Sequence, residues 1–140
     1  MSRVFWDSNL FIYLLEDYGA LSAATAQVRQ RMLERGDQLF TSTLTLGEIL
    51  VKPTERGDEG LKQRYLDALA TAASLIPFDS DAALHYAEIR KDRAIKAPDA
   101  IQLACAARAR VDLFITNDAR LKGKTVRGIQ FIVALHAAPL

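Results

Sequence analysis

Short apolar runs recur along this chain at Arg3–Trp6, Gln38–Thr41, Leu75–Phe78, Leu113–Thr116 and Ile129–Val133, separated by stretches with helical apolar spacing. The runs have strand length, and the stretches between them repeat their apolar residues every three or four positions. Strands that alternate with helices pair in parallel, because each return crossover is a helix that must cover a face of the sheet. The pattern therefore predicts an α/β chain with a parallel sheet of four to five strands, covered on both faces.

The helical stretches have readable ends. Asp7–Ser8–Asn9 caps a helix carrying Leu10, Phe11, Tyr13, Leu14 and Leu15, which ends at Tyr18–Gly19. Ser22 to about Arg35 is a helix with Val28, Met32 and Leu33 inside, stopped by Gly36. Leu44–Lys52 is helical and is expected to stop before Pro53, with a polar loop at Thr54–Gly60. Leu61–Ala73 follows, and Asp79–Ser80–Asp81 caps a helix to about Lys91. Pro98 is expected as the first residue of an Ala-rich helix to Arg110, and Ala134–Leu140 as tail or edge.

At 140 residues with half of them hydrophobic, the chain is expected to form one domain, residues 1–140, around one core. A net charge of +1 gives no broad basic field, so any nucleic-acid affinity must be local. The single cysteine excludes an internal disulfide, and Cys105 among alanines reads as a small buried apolar residue. No apolar run approaches the roughly 18 residues of a membrane span, and the start lacks a signal-peptide core. No membrane role and a cytoplasmic location are therefore expected.

Four acids stand where elements begin or end: Asp7 after the first strand, Glu48 within Leu44–Val51, Asp99 after Pro98, and Asp118 after Leu113–Asn117. In parallel sheets ligands bind beyond the carboxyl ends of the strands, where Asp7 and Asp118 fall. Glu48 and Asp99 lie on helices that start near the same edge. Each acid has an ordinary alternative. Asp7 can be a helix cap and Asp118 the head of an Asx-turn, while Asp99 can face a helix dipole and Glu48 can pair with Lys52. Those alternatives do not predict that all of them fall at one edge. Carboxylates gathered by a fold repel one another until a hard cation such as Mg²⁺ or Mn²⁺ is held among them. Such an ion is a standard device for attacking a phosphodiester with water. Lys91, Arg93 and Lys96, just before Asp99, are candidate phosphate contacts. His85 and His136 have no metal-ligand spacing.

Asp7–Ser8–Asn9, Leu46–Gly47–Glu48–Ile49–Leu50, Pro98–Asp99–Ala100–Ile101–Gln102–Leu103–Ala104 and Ile115–Thr116–Asn117–Asp118 together resemble the motifs of PIN-domain ribonucleases. In size and motif order the chain is similar to the VapC toxins of bacterial toxin–antitoxin pairs, from residue 4 to about 132. The resemblance implies a three-layer α/β/α sandwich, Mg²⁺ or Mn²⁺ dependence, cleavage of single-stranded RNA, homodimers and a small antitoxin partner. It places catalytic or metal roles on Asp7, Glu48, Asp99 and Asp118, with Asn9, Thr116 and Asn117 as supporting polar groups. Trp6 is bulkier than the small aliphatic residue expected before the first acid.

A housekeeping RNA-processing nuclease shares these features. Aspartyl-phosphate proteins also place an Asp after the first strand. A phosphatase of that kind needs a second Asp two residues on, where Asn9 stands. A receiver domain needs paired acids there and a Lys after the last strand, and neither is present.

Overall fold

In the computed structural model, which describes residues 1–140, five strands form one parallel sheet. They are β1 (Arg3–Trp6), β2 (Gln38–Ser42), β3 (Ser74–Ile76), β4 (Leu113–Thr116) and β5 (Phe131–Ala134), in the spatial order β3-β2-β1-β4-β5. The chain winds outward from β1 to β3, then crosses back to lay β4 on the other side of β1. Winding reverses between β1 and β4, and a doubly wound sheet leaves its crevice at that point.

The helices are α1 (Ser8–Leu15), α2 (Ala20–Arg35), α3 (Thr43–Glu55), α4 (Glu59–Ala72), α5 (Ser80–Ile89) and α6 (Ala97–Arg108). Strand side chains alternate between faces. Val4, Trp6, Leu39, Leu113 and Ile115 point to one side and pack with Leu10, Phe11, Met32, Ile49 and Leu69 of α1–α4. Phe5, Phe40 and Phe114 point to the other and pack with Ala82 and Ile89 of α5 and with Leu103 and Ala104 of α6. The result is the expected three-layer sandwich. Phe5 and Phe114 are register partners across β1 and β4, with rings stacked 5.2 Å apart. Truncating such a buried ring to Ala costs about 3–5 kcal/mol.

Small residues let α6 lie close to the sheet: Ala100, Ala104, Cys105, Ala106 and Ala107 are all buried. Burial pushes the Cys105 thiol up to about 11, consistent with an inert apolar role. Trp6 is fully buried and tilts against Phe11 at 5.2 Å, so its bulk is absorbed by the α1 side of the core. Its indole Nε1 has no hydrogen-bond partner.

Several boundaries differ from expectation. Helix α3 runs through Pro53 to Glu55. The proline lies in the last turn, where little helix remains to be distorted, and it is buried. The expected loop at Thr54–Gly60 shrinks accordingly to residues 56–58. Helix α1 stops at Leu15 because Glu16 turns extended, and Pro98 is the second residue of α6 rather than the first. β5 starts two residues later than expected. The segment after it is no free tail: Leu135–Ala137 forms a 3-10 turn whose Leu135 is buried in the core.

Candidate active site

Asp7 sits at the winding reversal. Its N–H continues the β1–β4 ladder by donating to the Ile115 carbonyl at 3.1 Å. Its carboxylate caps α1, with Oδ1 accepting from the Ser8 N–H at 2.8 Å, and Oδ2 accepts from the Thr116 hydroxyl at 2.9 Å. Capping and membership of the acid group are thus combined in one residue. Asp7 is only 8% exposed, and burial pushes its carboxyl up to about 6. The hydrogen bonds from Thr116 and Ser8 oppose that rise, and the nearby charges of Asp99 and Glu48 add to it.

Asp118 and Asp99 form the opposite side of the site. The Thr116 hydroxyl accepts the Asp118 N–H at 3.0 Å, which ties Asp118 to the end of β4. Asp99 lies in the first turn of α6, a helix that runs against the strands and so begins at their carboxyl edge. Burial raises the Asp99 carboxyl, the charges of Asp118 and Glu48 reinforce this, and Arg120 opposes it. Asp118 is shifted the other way, chiefly by its hydrogen bond from Arg120. Arg120 Nη2 is 2.7 Å from Asp118 Oδ2 and 3.8 Å from Asp99 Oδ2.

Glu48 approaches from α3. Its Oε1 accepts from the Ser8 hydroxyl at 2.7 Å, so its partner is Ser8 rather than Lys52 one turn on. Ser8 is itself held by a buried polar network. Gln102 Nε2 donates to Ser8 Oγ and to Thr45 Oγ1, each at 2.8 Å. Ser42 donates to Gln102 Oε1 at 2.5 Å, and Thr41 Oγ1 lies 2.8 Å from both Thr45 Oγ1 and the Trp6 carbonyl. Gln102 lies one turn after Asp99 on α6, so the network joins the helix bearing Asp99 to the helix bearing Glu48.

The acids are linked in a chain: Asp7 feels the charges of Asp99 and Glu48, and Asp99 feels those of Asp118 and Glu48. No three of them close tightly enough to form a ready cation cage. Of the polar residues expected beside them, Thr116 bridges Asp7 and Asp118. Asn117 is exposed and donates to the Tyr13 hydroxyl at 3.0 Å, and Asn9 is exposed with no side-chain hydrogen bond. Lys91 is exposed and pairs with Glu88 at 2.6 Å, while Arg93 and Lys96 are exposed. Sequence reasoning missed Arg120, Ser8, Thr45 and Gln102 as participants. The available signals were adjacency for Ser8 and Arg120 and helical spacing from Asp99 for Gln102.

Beside Glu48 lies an apolar groove of about 290 Å³ lined by Ile12, Leu15, Ile49, Val51 and Tyr65, with Glu16 and Lys52 at its polar margin. Leu10 and Phe11 of the same helix α1 are buried in the core and do not line it.

The donor set suits a hard divalent cation. It consists of carboxylate oxygens alone, with hydroxyls behind them, and includes no Cys or His. A guanidinium already rests on two of the carboxylates, which marks the place as one that takes positive charge.

The sequence matches the PIN domain over residues 4–125. Solved structures with the same fold include VapBC2 from Rickettsia felis bound to a DNA fragment from its promoter. That match has 14% identity and TM-score 0.75, and covers 94% of this chain and 98% of that one. A toxin–antitoxin complex from Klebsiella pneumoniae matches at 24% identity and TM-score 0.67, covering 93% and 99%. DNA-bound VapBC from Salmonella typhimurium matches at 20% identity and TM-score 0.62, covering 96% and 99%. At these identities the likeness establishes a common fold. Among curated proteins no relative matches the chain by sequence. The chain belongs to the PIN domain family, whose members are nucleases that generally use divalent metals. No helix is long and apolar enough to cross a membrane.

Proposed function

We propose that this protein is a metal-dependent endoribonuclease and the toxin of a toxin–antitoxin pair. The observation that carries the reading is the placement of Asp7 and Asp118 on one hydroxyl, Thr116, at the winding reversal, with Asp99 and Glu48 in electrostatic range. Asp7, Asp99, Asp118 and Glu48 are the residues that would hold Mg²⁺ or Mn²⁺. Such an ion, when bound, lowers the pKa of water and neutralises charge on the scissile phosphate.

The chain's own residues set the geometry. Thr116 holds Asp7 and Asp118 at a fixed separation. Gln102 holds Ser8, and Ser8 fixes one oxygen of Glu48, leaving the other free for a ligand. The buried Trp6 and Ile115 below Asp7 keep water from that side. Lys91, Arg93 and Lys96, at the entrance to α6, are the proposed contacts for the RNA backbone.

The apolar groove beside Glu48 suits one face of a partner helix, and a basic residue of that partner would reach the carboxylates. The VapBC and toxin–antitoxin complexes of like fold support a small antitoxin in that role. A homodimer and a cytoplasmic location belong to the same reading.

The test has two parts. Purified protein is incubated with single-stranded RNA in EDTA, Mg²⁺ or Mn²⁺, beside Asp7→Asn and Asp99→Asn. Cleavage by the wild type in metal alone is expected, and equal cleavage by either variant rejects the mechanism. Expression with and without a short open reading frame adjoining its gene then separates the roles. Growth arrest relieved by that reading frame is the toxin outcome, and no effect on growth leaves a housekeeping nuclease.

A further inference from the structure

Arg120 is the one cation in the acid group, and its contacts have an unusual form. It stands two residues after Asp118 in a 3-10 turn, Ala119–Leu121. Asp118 Oδ1 accepts both the backbone N–H of Arg120, at 2.9 Å, and its Nε, at 3.0 Å. Oδ2 accepts Nη2 at 2.7 Å, and Nε lies 3.2 Å from it. The same Nη2 reaches Asp99 Oδ2 at a looser 3.8 Å. The guanidinium thus lies across the carboxylates of Asp118 and Asp99, yet its side chain is 62% exposed.

Two properties follow from that geometry. Without another cation, Arg120 relieves the repulsion between Asp99 and Asp118. Its two-pronged contact is with Asp118 alone, its reach to Asp99 is loose, and its side chain is mostly solvated, so water screens the pair and leaves it open to exchange. A divalent cation brings twice the charge and binds carboxylate oxygens directly, so it outcompetes such a pair. The backbone N–H bond to Oδ1 needs no side chain, so Asp118 stays oriented when the guanidinium departs. The displaced side chain is tethered at the mouth of the site, where a planar fork of donors suits a phosphate.

We propose that Arg120 exchanges partners: it rests on Asp118 and Asp99 while they lack a metal, and a divalent cation there frees it to bind a backbone phosphate of the RNA. This rests on the metal-dependent nuclease reading above and assigns a substrate-binding role to a residue outside the acid set.

The test uses Mg²⁺ alone, then Mg²⁺ with a single-stranded 2′-O-methyl oligonucleotide whose integrity is checked on a gel. The Arg120 Nε–H signal is assigned by NMR from its loss in Arg120→Lys. Saturating Mg²⁺ is expected to shift the Ser8, Thr116 and Asp118 amides and to move the Arg120 Nε–H signal to the position of a free, solvated guanidinium. If those amides do not respond to Mg²⁺, the metal reading itself fails. If they respond and the Arg120 signal keeps its bonded position, the exchange alone is overturned. Arg120→Ala is expected to bind Mg²⁺ several-fold more tightly. In saturating Mg²⁺ it should bind the oligonucleotide about tenfold more weakly, with a salt slope smaller by about 0.7, the value for one single-strand phosphate contact. Unchanged Mg²⁺ affinity or an unchanged slope in this variant rejects the proposal.

Discussion

One hydroxyl joins Asp7 to Asp118: Thr116 Oγ1 donates to Asp7 Oδ2 at 2.9 Å and accepts the Asp118 N–H at 3.0 Å. Thr116 closes β4 and Asp7 follows β1, so the bridge spans the two strands at which the winding reverses. Thr116→Val keeps the shape and removes both bonds. We expect Mn²⁺ affinity and RNA cleavage to fall about 10–100-fold, as for other groups that orient metal ligands, with the fold intact by circular dichroism. Calorimetry and a cleavage assay check this, and full activity in the valine variant counts against the bridge.

Asp7 ionises at about 6 in the fold, against an ordinary 3.8. The folded chain therefore holds this proton more tightly than the unfolded chain. Its contribution to metal-free stability is complete below about 3.8, declines as pH rises, and is lost above about 6. The difference corresponds to about 3 kcal/mol at ~1.36 kcal/mol per pH unit. Asp7→Asn should then be more stable than wild type in EDTA at pH 7.5, by about 1–3 kcal/mol, with the gap closing towards pH 4. Urea denaturation across that range measures it, and a gap that does not depend on pH rules out the linkage.

Gln102 is 1% exposed and satisfies Ser8, Thr45 and Ser42 together. Gln102→Leu fits the volume and strands these hydroxyls, so a loss of about 2–4 kcal/mol is expected from unsatisfied buried groups. Cleavage per folded molecule should also drop, because Ser8 no longer has a fixed direction toward Glu48. Chemical denaturation gives the first quantity, and active-site titration with a slowly cleaved RNA gives the second.

Gly128 provides a contrast remote from the acids. Its φ is +96°, and an added Cβ would stand 2.9 Å from the Ala107 carbonyl oxygen. Gly128→Ala should cost about 1–3 kcal/mol through strain and displaced backbone. Thermal melts should show this loss, while cleavage at 20 °C by the folded fraction stays at the wild-type level.

The RNA contacts proposed at Lys91, Arg93 and Lys96 are checked by replacing all three with Ala. Weaker RNA binding with a flatter salt dependence is expected. An unchanged slope places the backbone contacts elsewhere. Lys91 is the residue whose contribution should be smallest, since Glu88 already holds its ammonium at 2.6 Å.

The sheet and the positions of Asp7 and Asp118 at the ends of its strands were legible in the sequence because both depend on local signals. Strand-length apolar runs located β1 and β4, and an acid at each of their ends marked the crevice. Long-range contacts were not legible. Gln102 meets Ser8 across 94 positions, and nothing in either segment announces the other. Arg120 was near Asp118 in sequence, but a loop arginine two residues from an aspartate has many orientations open to it. Pro53 misled for a different reason: a helix-breaking signal was outweighed by burial of its ring in a final turn. Asn9 sits in the expected motif yet faces solvent, because Ser8, one position earlier, takes the inward direction.

Trp6 is the sole tryptophan, and its indole is sealed in hydrocarbon with its Nε1 unbonded. A chromophore in such surroundings fluoresces at the short-wavelength end of its range and shifts to the red when water reaches it. Because it directly precedes Asp7, the protein carries an intrinsic optical reporter one peptide bond from the carboxylate proposed to hold the metal. Unfolding, ion binding and partner docking can each be followed by emission without attaching a dye.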